Sequence, residues 1–534
     1  MLEYWITMDN YRRPRAIEKN ALRTVEGIKT QPNQRARLVK AEVAAAKAPK
    51  RQRKALLDMS LPEGESYNRH HMKPVIRRRV KTARTWALRG ALASLAVVVG
   101  VGALLVSQGY FNAHKVFKGT ASSAASLQKD VDPNLLKGEG DGRINILMTG
   151  IGGQGHAGGD LTDTLILASI DPVNNKAALL SVPRDLWVTL PGKGSMKINA
   201  AYATAKYNYM AKNKVDGANS QAIAAGFTSI DQTIEKVLGV PVNYNLLVNF
   251  QAFRQAIDTV GGVTVDVPTD LYDPTMAWEN NYNAYLARAG RQTFDGKHAL
   301  MYVRSRETSS DFARSQRQRA VMLALKEKAV TLGVLANPAK LSGLLGAFGS
   351  NVHTDLSLGD ASRLYTIFKR ISNANIQSVS LAGTTTTTSA AAGTDSLVTT
   401  GNINGQSIVM PKAGLEKYGP IQEFVRGNLK DGYIVKEKAK VMVLNGTVEK
   451  KLGETIATKL KSYGYNVTSV GQAPSTAYPS TMVVDLSKNK KKYTKHYLEQ
   501  RFNTSAVLKL PDSTITPGTA DFVVILGGDE TGNN

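Results

Sequence analysis

The chain has 534 residues, a formal net charge of +25 and no cysteine. A chain of this length predicts several domains. The lack of cysteine excludes disulfides, thiolate metal sites and a cysteine nucleophile. A strongly basic balance predicts anionic partners such as nucleic acid, anionic lipid or a phosphate-rich substrate. The charge is uneven, because residues 1–89 hold 22 basic and 8 acidic residues, so this part forms a region of its own.

The N-terminal region predicts a membrane anchor with a basic flank. Residues 90–106, GALASLAVVVGVGALLV, carry no charge, and a run of this length is near the minimum for crossing a bilayer. We therefore predict one transmembrane helix over 86–110. By the positive-inside rule the preceding RRRVKTAR places residues 1–85 in the cytoplasm. That segment is predicted to be largely disordered and to act as a topology signal, with nucleic-acid binding as the alternative. Everything after the anchor is then extracytoplasmic, in a single-pass plasma-membrane protein.

After a linker at 111–142, short apolar runs alternate with amphipathic segments. The runs INILMT (144–149), TLILASI (164–170) and AALLSV (177–182) are bounded by Gly, Asp or Pro and predict buried strands. FTSIDQTIEKVL (227–238) predicts a helix. This alternation favours a layered α/β domain over 143–383. A linker and connecting segment at 384–436 precedes a small α/β domain at 437–534, which begins with the strand-like KVMVLNGT.

The stretch ALMYVRSRETSSDFARSQRQR (299–319) holds five arginines. If LMYVRSR is a strand, Arg304 and Arg306 project to one face at its C-terminal end, where ligands bind in open α/β sheets. A helix starting near Asp311 places Arg314 and Gln318 one turn apart. Arginine binds phosphate oxygens through its planar fork, so this set predicts a pyrophosphate site, with a solvated basic helix as the alternative.

Arg317 and Arg319 occupy other positions around the same predicted helix. They are not in register with Arg314 and Gln318, so we expect them to be solvated.

The segment GIGGQGHAGGDLTDT (150–164) contains the spacing G-x-G-x-x-G directly after a strand. A dinucleotide-binding fingerprint needs a helix to follow it. More glycines and a strand follow here, so we reject a dinucleotide-binding site. The glycines instead predict a loop that approaches an anion. Asp160 and Asp163 offer carboxylate oxygens, which suit Mg²⁺ together with phosphate oxygens. Helix or turn capping is the alternative for this pair.

Two further segments supply polar side chains after apolar runs. In SVPRDLWV (181–188) a buried strand ends at a proline, so Arg184 is a phosphate candidate that Asp185 could orient. In MKINAAYA (196–203) Lys197 and Asn199 lie two residues apart, on one face of an extended segment.

Taken in order, these segments resemble the LytR-CpsA-Psr family of cell-envelope proteins. The resemblance covers about 145–325, with weaker similarity to about 385, and includes YNLLVNFQAF and IDTVGGVTVDVP. The tail, VMVLNGT to FVVILGGD, resembles the C-terminal domain often attached to that family. The resemblance implies a layered α/β/α catalytic domain with a central mixed sheet, followed by a small α/β domain.

The resemblance also implies an activity. The family transfers a glycopolymer, of teichoic acid or capsule type, from an undecaprenyl-pyrophosphate carrier to a peptidoglycan hydroxyl, forming a phosphodiester, with Mg²⁺ as the cofactor. Carried over by motif, the implied catalytic residues are Arg184, Arg304, Arg306, Asp311 and Arg314. The implied pyrophosphate-binding residues are Lys197, Asn199 and Gln318, and the implied metal ligand is Asp163. Asp311 would orient the arginines or act as the base.

The chain departs from the family pattern at two points. Gly152 stands where an aspartate usually follows the first strand, and Leu161 and Thr162 stand where Arg-Ser usually precedes the aspartate of the second motif. We therefore expect Asp160 to replace the missing carboxylate as a metal ligand, from a different point on a longer glycine loop.

Three other functions fit parts of the pattern. A non-enzymatic wall-binding scaffold predicts a broken arginine set, which is not what the sequence carries. A membrane-bound transcriptional attenuator predicts a DNA-binding motif, and none stands out in residues 1–85. A polyprenyl-pyrophosphate hydrolase would use the same residues with water as the acceptor. The sequence alone leaves the glycopolymer, the acceptor hydroxyl and the role of the C-terminal domain open.

Overall fold

The computed structural model describes residues 124–128, 131–306, 311–331, 349, 351–382 and 396–531, without the side chains of 311 and 312. Within these ranges no helix has the length and apolar character needed to span a bilayer. The anchor predicted at 86–110 and the basic segment predicted at 1–85 lie outside the described residues.

The first folded region (141–429) alternates strands and helices. Its strands are β1 (Ile144–Ile151), β2 (Thr164–Asp171), β3 (Lys176–Ser181), β4 (Trp187–Thr189), β5 (Ser195–Lys197), β6 (Tyr244–Asn249), β7 (Val263–Val267), β8 (Leu271–Tyr272), β9 (Tyr285–Ala287), β10 (Gly290–Phe294), β11 (Val352–Thr354), β12 (Ile376–Ser380), β13 (Val398–Ile403) and β14 (Gln406–Pro411). Its helices are α1 (Ala201–Asn213), α2 (Ser220–Leu238), α3 (Phe250–Thr259), α4 (Gly296–Arg304), α5 (Asp311–Thr331), α6 (Leu358–Phe368) and α7 (Gly419–Asn428). The strands predicted from the first three apolar runs and the helix predicted at 227–238 are confirmed.

Six strands form one mixed sheet in the order β11-β6-β1-β2-β3-β12. β1 pairs parallel with β6, and β3 pairs parallel with β12. β2 runs antiparallel to both of its neighbours. The predicted α/β class with a central mixed sheet is therefore confirmed.

Both faces of this sheet are covered, because successive residues of β1, β2 and β3 belong to two different hydrophobic cores. Leu147, Leu167 and Leu180 belong to a core that also contains buried residues of α1, α2 and α7. Ile146 and Ala168 belong to a second core with residues of α6. The sheet is thus the middle layer of an α/β/α arrangement.

Residues 300–304 of the stretch LMYVRSR are helical, so the strand predicted there is wrong. Asp295 caps α4 by accepting a hydrogen bond from the backbone N–H of His298. The helix buries five consecutive residues, 299–303, among α3, α5, β7 and β10. An apolar run that is buried on all sides has no periodicity to separate a strand from a helix, and this explains the error.

The residues between the two predicted domains are part of the first folded region. β13 and β14 form a hairpin, and α7 contributes Ile421 and Val425 to the core under α2. The connecting segment predicted at 384–436 is therefore folded from 396 onwards. Its low-complexity start, 384–395, lies outside the described residues.

The second folded region (430–531) is a four-stranded sheet flanked by helices. Its elements are α8 (Gly432–Glu437), β15 (Lys440–Asn445), α9 (Leu452–Tyr463), β16 (Asn466–Gln472), β17 (Met482–Asp485), α10 (Lys492–Arg501) and β18 (Phe522–Leu526). The strand order is β16-β15-β18-β17, and the first three strands are parallel. The small α/β domain predicted from the tail has this architecture.

The segment before β1 joins the two regions. Val131 and Leu136 are buried in the core of the second region. The carboxylate of Asp431 accepts hydrogen bonds from the backbone N–H groups of Gly140 and Gly142. A Cβ at Gly142 would lie 2.5 Å from that carboxylate, so only glycine allows this approach.

Candidate functional site

The site begins where β3 ends. Pro183 follows the strand, and the backbone N–H of Leu186 donates to its carbonyl at 3.1 Å, which closes a turn. This turn presents Arg184 and Asp185. The adjacent hairpin pairs Trp187 with Lys197 and brings the Lys197 ammonium 2.9 Å from an oxygen of Asp185. Arg184 and Asp185 therefore lie in the turn directly after β3.

Three cations surround the carboxylate of Asp185. Besides the Lys197 contact, the Arg184 Nε lies 3.5 Å from it and an Arg306 Nη lies 3.9 Å from it. Partial burial opposes its ionisation, but the Lys197 hydrogen bond and the three positive charges prevail and lower the pKa of Asp185. Asp185 is therefore an ionised anchor that holds the three cations together.

Asp163 forms the second acidic point of the same network. Arg184 Nη1 donates to its Oδ1 at 2.5 Å, and the Asn199 side-chain amide lies 3.4 Å from the same oxygen. Asn199 is held because buried Thr162 donates to its carbonyl through both the backbone N–H and the hydroxyl. Arg184 thus bridges Asp163 and Asp185, and it joins the glycine loop to the turn after β3.

The chemistry of Asp163 fits a magnesium ligand. Its side chain is 42% exposed, and Mg²⁺ is commonly bound by one or two carboxylates together with substrate phosphate oxygens. Among the described residues, no group of three or more His, Asp or Glu side chains is arranged to hold a metal. A metal at this point would therefore depend on substrate oxygens and water for its remaining ligands.

Asp160, the second predicted metal ligand, forms an ion pair in this structure. Lys206 of α1 lies 2.8 Å from its carboxylate, and the Lys206 side chain is only 9% exposed. A buried ammonium needs its partner, so Asp160 cannot turn towards a metal without leaving that charge unpaired. We therefore assign Asp160 to fixing the glycine loop. The same loop closes on itself, since the N–H of Gly153 donates to the carbonyl of Gly159.

Arg304 and Arg306, which were predicted to lie on one face of a strand, are separated by the end of α4. Arg304 is the last residue of the helix, and its Nη1 lies 3.0 and 3.1 Å from the two carboxylate oxygens of Glu279. Its guanidinium also lies over the ring of Phe250 at 4.7 Å. Arg306 follows the helix and contacts Asp185. Of this pair, only Arg306 has a contact inside the Asp185 network in the part of the chain that the structure describes.

Helix α5 begins at Asp311, as predicted, and the side chain of Asp311 lies outside the described part. Arg314 is buried, and Gln318 donates to the hydroxyl of Thr164 at 3.2 Å, at the start of β2. The pair therefore lies on the side of the helix near the central sheet.

The expectation that Arg317 and Arg319 are solvated is wrong. Arg317 is buried and donates to the carbonyls of Tyr302 and Ser305, and Arg319 donates to the carbonyl of Ile376. These arginines satisfy carbonyls that the ends of neighbouring elements leave without a partner. Arg317 thereby fixes the chain between α4 and Arg306.

Some residues of the site carried little or no sequence signal. Asp185 was available from its place beside Arg184, although only as an orienting group. Lys206 lies in AYATAKYNYM, and Glu279 lies in the 3-10 helix Pro274–Asn280 before β9, so nothing local connects them with Asp160 or Arg304. Contacts between residues distant in the chain decide both roles.

Comparison with known proteins gives consistent matches over this region. Residues 107–404 match the LytR_cpsA_psr family, and residues 438–529 match a family described as LytR cell envelope-related transcriptional attenuator. A polyisoprenyl-teichoic acid–peptidoglycan teichoic acid transferase, TagU of Oceanobacillus iheyensis, is 32% identical, over 58% of this chain and 88% of that protein. TagU of Bacillus subtilis, which bears the same description, is 29% identical, over 49% of this chain and 78% of that protein.

Among solved structures, the crystal structure of TagV from Bacillus subtilis is similar, at 24% sequence identity and a TM-score of 0.40. The similarity covers 54% of this chain and 96% of TagV.

Proposed function

Since this chain belongs to the LytR-CpsA-Psr family, we propose that it is the transferase that joins a glycopolymer to peptidoglycan. The donor is a glycopolymer on a polyprenyl pyrophosphate, and the acceptor is a peptidoglycan hydroxyl. The names of the two TagU relatives support this pairing of substrates. A polymer of teichoic acid type is the donor those names suggest.

The observation that carries the proposal is the set of three cations around Asp185. Arg184, Lys197 and Arg306 have side chains that are 22%, 28% and 41% exposed, so they can reach a ligand. The carboxylates of Asp185 and Asp163 together neutralise only part of their charge. A surplus of partly exposed guanidinium and ammonium groups suits a pyrophosphate, which carries several negative oxygens.

The reaction follows from that placement. The acceptor oxygen attacks the phosphorus atom nearer the sugar, and the bond from that phosphorus to the bridging oxygen breaks. Polyprenyl phosphate leaves, and the sugar phosphate remains on the acceptor as a phosphodiester. Such a transfer depends on positioning and on neutralised charge more than on covalent help. Arg184, Lys197 and Arg306 supply that charge, and Gln318 and Asn199 supply neutral hydrogen-bond donors.

The proton of the acceptor hydroxyl needs a base. Asp185 is poorly suited, because its pKa is lowered and its oxygens are occupied by cations. We assign this role to Asp311, or else a role in orienting the arginines, from its position at the start of α5. Mg²⁺ is the cofactor we propose, held by Asp163, and when bound it would neutralise phosphate charge.

A lipid-linked donor also needs apolar surface near the cations. The sheet face under α5 carries half-buried apolar side chains, among them Met148 of β1 and Leu246 of β6. Thr164 of β2, which accepts from Gln318, pairs with Gly150, two residues after Met148. This adjacency supports a prenyl chain lying along the sheet. Anchoring through residues 86–110, with the site outside the cell, is part of the proposal.

A reconstituted reaction tests the function. Purified full-length protein is incubated with Mg²⁺, a synthetic polyprenyl-pyrophosphoryl sugar and peptidoglycan fragments, and products are followed by mass spectrometry. Sugar phosphate joined to peptidoglycan is the expected product. Free sugar phosphate in the presence of acceptor would instead identify a hydrolase, and tight donor binding without turnover would identify a scaffold.

A further inference from the structure

A pocket lies beside the Asp185 network, and the proposed binding of the donor pyrophosphate does not involve it. It is open, has a volume of about 330 Å³, and is lined in part by Phe250, Trp278, Glu279 and Arg304. Two more cations, Arg254 of α3 and Lys297 of α4, complete its wall. None of the steps assigned above uses Trp278, Arg254 or Lys297.

The charges in this pocket do not cancel. Glu279 is paired with Arg304, so these two contribute no net charge. Arg254 and Lys297 are exposed, and within the described residues neither makes an ion pair. Neither of the nearby carboxylates, Asp258 and Asp295, lines the pocket; Asp258 accepts from the N–H of Gly296 and Asp295 from the N–H of His298. The pocket therefore keeps a surplus of positive charge and favours an anion.

The aromatic side of the pocket points to a sugar. Trp278 is 69% exposed, which is costly for so large an apolar surface in water. A flat indole face packs against the C–H groups of a sugar ring, while its N–H remains available for a hydroxyl. Phe250, fixed from one side by His156 at 5.1 Å, adds a second aromatic surface.

The pocket adjoins the proposed site of reaction. Arg304 of the pocket and Arg306 of the Asp185 network are two residues apart, so their Cα atoms lie within roughly 7 Å. His156 lies in the glycine loop, whose end carries Asp163. A saccharide in this pocket would therefore present its neighbouring units to the cations that hold the pyrophosphate.

We propose that this pocket binds an anionic saccharide segment, with a sugar ring on Trp278 and its carboxylate or phosphate on Arg254 and Lys297. The proposal rests on the transferase function and adds a saccharide subsite to it. The anionic group has two possible sources, the peptide carboxylates of the peptidoglycan acceptor and the phosphates of the donor polymer. Both sources present anionic oxygens close to a sugar ring.

Calorimetric titration of the full-length protein separates the sources. The probes are a muropeptide with free carboxylates, a glycosylated glycerol phosphate oligomer and the neutral sugar chitotetraose. We expect at least one anionic probe to bind about tenfold or more tightly than chitotetraose, because charge-assisted hydrogen bonds are involved. Preference for the muropeptide assigns the pocket to the acceptor, and preference for the phosphate oligomer assigns it to the donor polymer.

Matched variants locate the binding. Trp278→Ala, Arg254→Gln and Lys297→Gln should each raise the Kd of the preferred probe about tenfold. Lys193→Gln and Tyr282→Ala, at exposed positions outside the pocket lining, should not. The proposal is overturned if no probe binds, if chitotetraose binds as tightly as the anions, or if the three pocket variants bind like the wild type.

The transfer assay keeps this proposal distinct from the proposed function. If transfer occurs but the KM values of acceptor and donor are unchanged in the pocket variants, the subsite proposal alone fails. If no transfer occurs while saccharide binding still depends on Trp278 and Lys297, the pocket stands as a saccharide site and the transferase function fails.

Discussion

The Asp185 network and the junction between the two folded regions both consist of charged side chains, but they differ in balance and exposure. At the junction, Glu139 accepts from both Arg501 and the hydroxyl of Tyr465, and the charged pair is only 11–15% exposed. In the Asp185 network three cations share the two carboxylates of Asp185 and Asp163, and the side chains of these cations are 22–41% exposed. The junction pair is buried and balanced, whereas among the described residues the cations of the Asp185 network outnumber its carboxylates and are more exposed.

The comparison teaches how to separate structural from functional charge in a basic protein. Arg143 is also buried at the junction, and it donates to Ser169 and to the carbonyl of Lys430. Burial lowers the pKa of Arg143, while Asp171 and Asp431 oppose that effect. A net charge of +25 does not distinguish these roles. The contacts and the exposed fraction of each side chain do distinguish them.

The largest expected effect is on stability at the junction. Glu139→Ala leaves the buried Arg501 without its carboxylate, so we expect the free energy of unfolding to fall by about 3–5 kcal/mol. Chemical denaturation of the full-length protein measures it. Glu423→Ala, at an exposed position of α7, serves as the matched control and should change stability little. Equal stabilities of the two variants would show that the junction charges are not structural.

The next effect is on activity at the Asp185 network. Arg306→Ala should lower the transfer rate on the order of 10²-fold or more, because one donor to the developing phosphate charge is lost. The melting temperature should change little, since the Arg306 side chain is 41% exposed. Arg291→Ala, an exposed arginine of β10, is the control. Unchanged activity of Arg306→Ala would contradict the proposal that these cations bind the pyrophosphate.

The two aspartates of the glycine loop should respond differently to metal. Asp163→Ala should abolish the stimulation by Mg²⁺, because it removes the exposed carboxylate of the network. Asp160→Asn should lower activity several-fold through the loop, with an unchanged half-saturating Mg²⁺ concentration, since Asp160 is paired with Lys206. A titration of the transfer rate with Mg²⁺ compares them. Loss of the metal response in Asp160→Asn instead would restore Asp160 as a ligand.

The smallest effect concerns the pH dependence of stability. Burial raises the pKa of Asp231 to about 8; the charges of Asp355 and Glu235 add to this, and a hydrogen bond from Asn245 opposes it. The folded state therefore holds a proton that the unfolded state releases at a lower pH, near Asp231's ordinary pKa of 3.8. Stability from this group is complete below that value and is lost as pH rises to about 8.

Asp231→Asn should remove that dependence. Its unfolding free energy should fall less than that of the wild type between pH 7 and pH 8, by on the order of 1 kcal/mol. Thermal or chemical denaturation at the two pH values measures the difference. Parallel curves for the two proteins would mean that Asp231 is ionised in the folded state.

The sequence predicted the parts of the fold that depend on local patterns. Strands β1 to β3 have apolar runs bounded by turn residues, and the helix predicted at 227–238 is the second part of α2, which begins after its cap at Asn219. The sequence could not show that α4 is a helix rather than a strand, because residues 299–303 are all buried. Propensity alone leaves Ala, Leu, Met, Tyr and Val compatible with either state in so short a run.

The site was predictable only as a set of residue types. Arg184, Lys197 and Arg306 were identified from their positions after apolar runs, and the structure brings all three to Asp185. Their assembly depends on the pairing of β4 with β5 and on the backbone contacts of Arg317, which link distant segments. The same long-range contacts separated Arg304 from the network and gave Asp160 to Lys206.

The most direct test of the central claim follows the oxygen atoms. The full-length protein is given the polyprenyl-pyrophosphoryl sugar, Mg²⁺ and peptidoglycan acceptor in water enriched in ¹⁸O, and the phosphate of the product is weighed by mass spectrometry. Transfer predicts a sugar phosphate joined to peptidoglycan without ¹⁸O, because its new oxygen comes from the acceptor hydroxyl. Sugar phosphate released with one ¹⁸O would contradict the account, since water would then be the acceptor at the Asp185 network.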